Sequence, residues 1–486
     1  MTDRTTRPNI VFIMTDDHAA HACSAYGSKV NTTPNMDRIA TAGMRMDNVF
    51  CTNSICAPSR ATILTGTYSH RNGVPTLMTD FDYRLPTFPQ VLQGAGYTTA
   101  LFGKWHLGHN PVNLPRGFDD WRILPGQGDY HDPVFLSAGE PGGQAVRTKH
   151  DGYVTDLITD FSLDWLHARD TDKPFCLLVH HKAPHRPWEP DEAHAHLYDD
   201  IDLPEPDTLF DDYTGRSEAA RAAKMRISDD FDIHDLKTEP PAELAGDAHV
   251  VERTKWNYQR YMKDYLRCVA SVDDNIGRLL DYLDEAGLTD NTIVVYTSDQ
   301  GFFLGDHGWY DKRFIYEESL RMPMLVSWPG VTQPGSTNDS LVTNVDFAQT
   351  FLDAAGVDAA AELPDAQGRS FREILAGHEP ADWPGSLYYR YWEHDSAPHH
   401  VWAHYGVRTR THKLIYFYNA GVDAPGSSAM TAQPEWEMYD LVADPAELRN
   451  VADDPAYAGV RADLEAEIAR LQREVGDQPY VAKPAR

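Results

Sequence analysis

Cys56 opens the stretch Cys56-Ala57-Pro58-Ser59-Arg60, which continues as Ala61-Thr62-Ile63-Leu64-Thr65-Gly66. Asn48 to Ile55 before it are turn-prone and Ala61 to Leu64 carry a helix, so Cys56 is expected where a loop becomes a helix. Unpaired N–H groups and the positive end of the macrodipole make such a start a place for an anion, and Arg60 adds a fixed cation in the first turn. A capped helix with a buried thiol has the same local pattern, so other groups must decide. Asp16-Asp17 follow the apolar run Ile10 to Met14. Adjacent carboxylates repel unless a cation lies between them, and the carboxyl end of a buried strand is where open α/β sheets place ligands. Lys104 and His106, two apart between Gly103 and Gly108, point the same way from an extended loop. His185 stands between Pro184 and Pro187, which hold it in a stiff turn.

The elements that must position these groups read as an α/β fold. Pro8 to Met14, Tyr97 to Phe102, Pro174 to His180 and Thr292 to Thr297 are short, continuous, β-rich runs of the kind found in buried strands. Helical stretches lie between them, near 33–40 and 85–94, and a long one spans Tyr258 to Leu283 and closes at Gly287. This βαβ rhythm predicts a large, mainly parallel sheet sandwiched by helices. Beyond Pro380 the texture changes to aromatic strands, Leu387–Trp392, Tyr405–Thr409, Lys413–Tyr418 and Trp436–Leu441, and a helix carrying Leu464, Ile468, Leu471 and Val475. The expected division is a catalytic domain over 1–375 and a small C-terminal domain over 376–486, an antiparallel sheet with one helix. Residues 189–247, rich in Asp, Glu, Pro and Ala and without a period, read as a polar insertion, solvated or lying over the site mouth.

The chain has 486 residues, 42% hydrophobic and 24% charged, which is ordinary for a globular protein of two unequal domains. A formal net charge of −30 argues against nucleic acid as a partner and repels polyanions at long range, so an anionic substrate needs a local basic pocket. Five cysteines, Cys23, Cys51, Cys56, Cys176 and Cys268, form no metal-binding spacing and no expected disulfide framework. The Ile10–Met14 run is too short for a signal peptide or a membrane span, so the expectation is a cytoplasmic protein without a membrane partner.

Cys-x-Pro-Ser-Arg followed by a helix and Thr-Gly resembles the signature of the sulfatase family. Four further runs, in the family's order, resemble it too: Asp16-Asp17, Gly103-Lys104-Trp105-His106-Leu107-Gly108, Pro184-His185-Arg186-Pro187 and Ser298-Asp299-Gln300-Gly301 with Lys312 downstream. The resemblance extends from about Pro8 to Asp454, and within the family it is strongest to sulfatases of sulfated sugars, the N-acetylglucosamine-6-sulfatase-like group in particular. It implies that a formylglycine-generating enzyme converts Cys56 to formylglycine, whose hydrate attacks sulfur with one hydroxyl and expels sulfate through the other. It further implies that Arg60 belongs to the sequence the modifying enzyme reads and adds positive charge that stabilises the sulfuryl oxygens, that Lys104 and Lys312 meet the sulfate, that His106 is the base breaking down the sulfated intermediate, and that His185 is the acid protonating the leaving alcohol. The implied metal set is Asp16, Asp17, residue 56, Asp299 and Gln300, with Gln300 where many relatives have Asn. An all-oxygen set with several carboxylates suits a hard cation, Ca²⁺ ahead of Mg²⁺.

His307 and Arg321, close to Lys312 in the chain, and Glu393 and His394 of the C-terminal part are weaker candidates for contacts beyond the sulfate. Structural roles compete with that reading at each. The function implied is a sulfuric ester hydrolase acting on a sulfated carbohydrate. The alternatives are a phosphomonoester or phosphonate ester hydrolase on the same framework and a non-catalytic binder of sulfated glycans.

Overall fold

A computed structural model describes residues 7–108, 114–140 and 144–481. At its centre an eleven-stranded sheet runs in the order 336–338, 44–50, 321–327, 292–298, 9–15, 175–180, 98–104, 120–124, 134–137 and 146–149, with 342–343 beside 44–50. From 292–298 to 120–124 the neighbours are all parallel, and the antiparallel pairs lie toward the edges. The period of two along each strand divides its side chains between two cores. Ile10, Phe12 and Met14 join one apolar cluster, while Val11 and Ile13 join the other. The first cluster is covered by helices Cys56–Thr65 and Phe347–Ala354. The second is covered by Val154–Ala168 and the 36-residue helix Val250–Glu285, whose Tyr258, Tyr261, Tyr265, Val269, Val272, Ile276 and Leu279 form one buried stripe. Fully burying such a side chain stabilises the fold by about 1.5–3 kcal/mol.

The C-terminal strands Ser386–Tyr391, His404–Thr409, His412–Phe417 and Glu435–Asp440 form a four-stranded antiparallel sheet. One face carries Tyr389, Tyr391, Ile415, Phe417 and Tyr439 into the same core as Phe12. The other packs Tyr388, Val407, Leu414 and Met438 under the helix Ala458–Val475. This sheet is therefore a wall of the main body as well as a unit with its own helix.

Residues 189–247 contain only short helices, Glu218–Ala222 and Ile233–Leu236 among them, yet Leu203, Leu209, Tyr213, Ala219, Met225, Ile227 and Leu236 are buried. Their irregular spacing follows the surface they cover and leaves no period in the sequence. Among the described residues no helix is long and apolar enough to cross a membrane.

Candidate active site

Four adjacent parallel strands, 292–298, 9–15, 175–180 and 98–104, end at the same edge of the sheet. Their registers align Thr15 with Ser298, Met14 with His180 and His180 with Gly103. The residues that follow each strand, Asp299-Gln300, Asp16-Asp17, His185 and Lys104 to His106, are thereby gathered within a few strand spacings of about 4.8 Å. Two glycines make the gathering tight. A Cβ on Gly103 would lie 1.9 Å from the His180 carbonyl oxygen, and one on Gly301 would lie 2.1 Å from that of Glu318.

Cys56 is the first residue of its helix, 1% exposed, and its thiol donates to Asp16 Oδ1 at 3.6 Å. Burial, reinforced by Asp16, pushes the thiol up to about 12. One turn on, Arg60 ties three strand ends together: Nε to Asp299 Oδ2 at 2.9 Å, Nη2 to Asp16 Oδ2 at 3.2 Å and Nη1 to the Lys104 carbonyl at 2.8 Å. Lys104 is fully buried, with its ammonium on Asp16 and on the Gln127 side-chain oxygen. Lys312, 2% exposed, pairs with Asp17. His185 Nδ1 donates to the Arg186 carbonyl at 2.6 Å, and its Nε2 lies 3.8 Å from Asp17 Oδ2.

Asp16, Asp17 and Asp299 each offer a carboxylate oxygen within 4.8 Å of the others. Burial raises all three pKa values, yet at Asp16 the lysines, His185 and Arg60 prevail and hold the carboxyl well below its usual range. At Asp17 burial outweighs Lys312 and lifts the group to about 7, and Asp299 is raised mainly by burial and by Asp16. Gln300 donates through Nε2 to Asp17 Oδ1 at 2.5 Å, while its Oε1 and Asp17 Oδ2 are buried acceptors without a hydrogen bond among the described residues. Converging carboxylates beside orphaned acceptor oxygens fit a hard divalent cation. His106 Nδ1 is likewise buried and unpartnered; burial first and then Lys104 hold the imidazole well below its usual pKa. Asp17 and His106 both adopt left-handed backbone, φ 69° and 55°, a conformation uncommon for such residues and typical of sites where function sets the geometry.

The weaker candidates are placed differently. His307 has no exposed surface and sits between Asp211 and Glu318, at 3.2 and 3.6 Å. Arg321 begins a central strand opposite Phe50 and is partly exposed. Glu393 accepts from the Leu77 N–H at 2.8 Å and lies 3.7 Å from Arg313. His394 is buried, its Nδ1 accepting from the Ala403 N–H at 3.1 Å.

Sequence reasoning missed a ring of charge around Lys312. Asp311 and Arg313 flank it, both with left-handed backbone, and lie 3.3 Å apart. Asp311 meets His399 at 3.0 Å, and His399 meets Arg186, which is held by Asp235 of the 189–247 segment. The alternation Asp-Lys-Arg is the only trace of this ring in the sequence. Gln127, beside Lys104, belongs to the polar-aromatic loop 127–131, which by its composition suits a sugar subsite and an ordinary surface loop equally.

The sulfatase family model matches residues 8–357, and the model described as N-sulphoglucosamine sulphohydrolase, C-terminal, matches 305–474. An N-acetylglucosamine-6-O-sulfatase of Bacteroides thetaiotaomicron is 44% identical over 516 residues, covering 98% of this chain and 88% of that protein. A solved structure of a protein in complex with its substrate, D-glucosamine-2-N,6-O-disulfate, superposes with a TM-score of 0.87 at 43% identity over 97% of this chain and 98% of that one. The phosphonate monoester hydrolase of Agrobacterium radiobacter shares the fold, with a TM-score of 0.73 at 22% identity over 96% of each chain.

Proposed function

The chain belongs to the sulfatase family and is a sulfuric ester hydrolase acting on a sulfated carbohydrate, and from that premise we propose that it releases sulfate from the 6-position of a glucosamine residue carrying an N-acetyl or N-sulfate group. The observation that carries the site assignment is the convergence on Cys56 of three carboxylates, an orphaned amide oxygen and the cations of Arg60, Lys104 and Lys312. The family's formylglycine and divalent cation would supply a hydroxyl nucleophile at residue 56 and positive charge beside it. Asp16, Asp17, Asp299 and Gln300 would hold the cation through oxygen alone, a donor set that favours Ca²⁺ over Mg²⁺.

The chain's own residues do the rest. Lys104 and Lys312 reach the cluster from opposite partners, Asp16 and Asp17, and serve as the two arms that receive the sulfuryl oxygens. Arg60 is saturated by Asp16, Asp299 and the Lys104 carbonyl, so it locks the strand ends rather than moving. His185, with Nδ1 committed to the Arg186 carbonyl, presents Nε2 as the atom that protonates the leaving alcohol. His106, whose Nδ1 has no partner among the described residues, takes the proton whose loss lets residue 56 expel sulfate. Asp311, Arg313 and His399 bring hydrogen-bonding charge to the sugar side of Lys312. Because Cys56 is buried at a helix start, the formylglycine-generating enzyme must act before the chain folds.

Fragmentation mass spectrometry of the tryptic peptide Met46–Arg60 should show an aldehyde at residue 56. The same preparation should release sulfate from N-acetylglucosamine 6-sulfate and D-glucosamine-2-N,6-O-disulfate, lose activity on chelation and regain it with Ca²⁺. Faster cleavage of nitrophenyl phosphate than of nitrophenyl sulfate would overturn the reaction class, and an intact thiol in protein from its native host would favour a glycan-binding role.

A further inference from the structure

Lys182 lies inside the molecule, 1% exposed, and among the described residues its ammonium forms no salt bridge with a carboxylate. A buried ammonium without an anion is costly and calls for a reason. Its partners are the Arg186 carbonyl oxygen, 3.5 Å from Nζ, and the face of Tyr130, 4.5 Å from the ring centroid. Both belong to the mount of His185. The Arg186 oxygen also accepts from His185 Nδ1 at 2.6 Å. The Tyr130 hydroxyl donates to the His185 carbonyl at 2.7 Å, and the His185 N–H donates to the Lys182 carbonyl at 3.0 Å. The oxygen that sets the ring orientation and the phenol that anchors the backbone are thus both held by one side chain.

We propose that Lys182 is a positioning residue for proton donation by His185, holding the Arg186 carbonyl and Tyr130 so that Nδ1–H stays committed and Nε2 faces the leaving oxygen. The inference rests on His185 being the acid. In that step the doubly protonated His185 ring gives up its Nε2 proton and is left neutral with Nδ1–H on the Arg186 carbonyl, while an O–H bond forms on the departing alcohol as its S–O bond breaks, the electron pair of that bond remaining on oxygen. A ring turned by a free carbonyl would still occupy the site but would deliver its proton poorly, since proton transfer needs hydrogen-bond reach and alignment.

A nitrophenolate leaves as a stable anion and needs no proton, whereas a sugar alkoxide does, so the two substrates separate this role from a merely structural one. With full-length enzyme, rates normalised to the aldehyde content at residue 56, Lys182→Met should lower kcat on N-acetylglucosamine 6-sulfate by roughly tenfold or more and leave nitrophenyl sulfate within about twofold. His185→Ala should lower both rates, the sugar sulfate by the larger factor. If Lys182→Met does not fold, Tyr130→Phe, which frees the His185 carbonyl and keeps the ring, should show the split in the same direction. Equal losses on both substrates, or none on either, would overturn the role of Lys182 while a split in His185→Ala leaves the acid in place. Absence of the split in His185→Ala would overturn both together.

Discussion

Two buried clusters of charge, the strand-end carboxylates and the group around Lys413, are built on opposite plans. Lys413 is fully buried in the C-terminal sheet and stands between Glu317, at 3.0 Å, and Glu447, at 2.7 Å, while Arg408 forks onto Glu317 at 3.2 and 3.1 Å. There the cation separates the acids. At the strand ends Arg60 also bridges two acids, Asp16 and Asp299, yet Asp16, Asp17 and Asp299 bring carboxylate oxygens within 4.8 Å of one another, with Lys104 on Asp16 and Lys312 on Asp17. Both clusters are buried, so the direct approach of three carboxylates to one another is what distinguishes a ligand site from a structural joint.

If that contrast is right, damage at the two places should look different. Asp299→Asn removes a charge that both Arg60 and the proposed metal use, and kcat/KM should fall by about 10³-fold in protein that still folds cooperatively. A loss below tenfold in steady-state sulfate release would remove Asp299 from the machinery. Lys413→Met leaves Glu317 and Glu447 buried together without the cation between them and should cost about 3–5 kcal/mol in urea unfolding. Activity per folded molecule should change little, and a large fall in kcat without a fall in stability would erase the distinction between the clusters.

The sharpest refinement uses pH and His307, which belongs to a third buried group with Asp211 and Glu318. Burial and the Arg216 guanidinium press its pKa down, but the hydrogen bond to Asp211 and the nearby Glu318 carboxylate prevail and lift it from 6.5 to about 9. A folded-state pKa above the unfolded one means that the added stability is complete below pH 6.5 and disappears as pH rises toward 9. The linkage amounts to about 3 kcal/mol at most. Urea midpoints measured from pH 6 to 9.5 should decline in the parent protein and decline less in His307→Gln; parallel curves would show that His307 is not charged in the folded state.

Much of the site was legible because its chemistry is written in contiguous runs. Cys56 to Gly66, Asp16-Asp17, Lys104 to His106 and Pro184 to Pro187 each carry a local physical reason, a helix start, a strand end or a proline-bound turn. The C-terminal strands were legible within a residue or so because each is an aromatic run bounded by turns. The packing of residues 189–247 was not, since its anchors follow another element's surface and have no period of their own. Nor was the ring Asp311–His399–Arg186–Asp235, whose members are separated by up to two hundred residues and meet only through the fold.

By itself, then, the sequence determined the alternation of strands and helices, the cysteine at a helix start and the acids, lysines and histidines at strand ends, because periodicity and local backbone chemistry act over a few residues. Tertiary structure alone decided which strands became neighbours, and hence that Asp16, Asp17 and Asp299 meet, with Cys56 on Asp16 and Gln300 on Asp17. It also decided that His307 became a buried ion partner, and that Lys182 was buried beside His185. Those outcomes depend on long-range packing and on the desolvation of charge, and neither quantity exists until the chain has closed around its two cores.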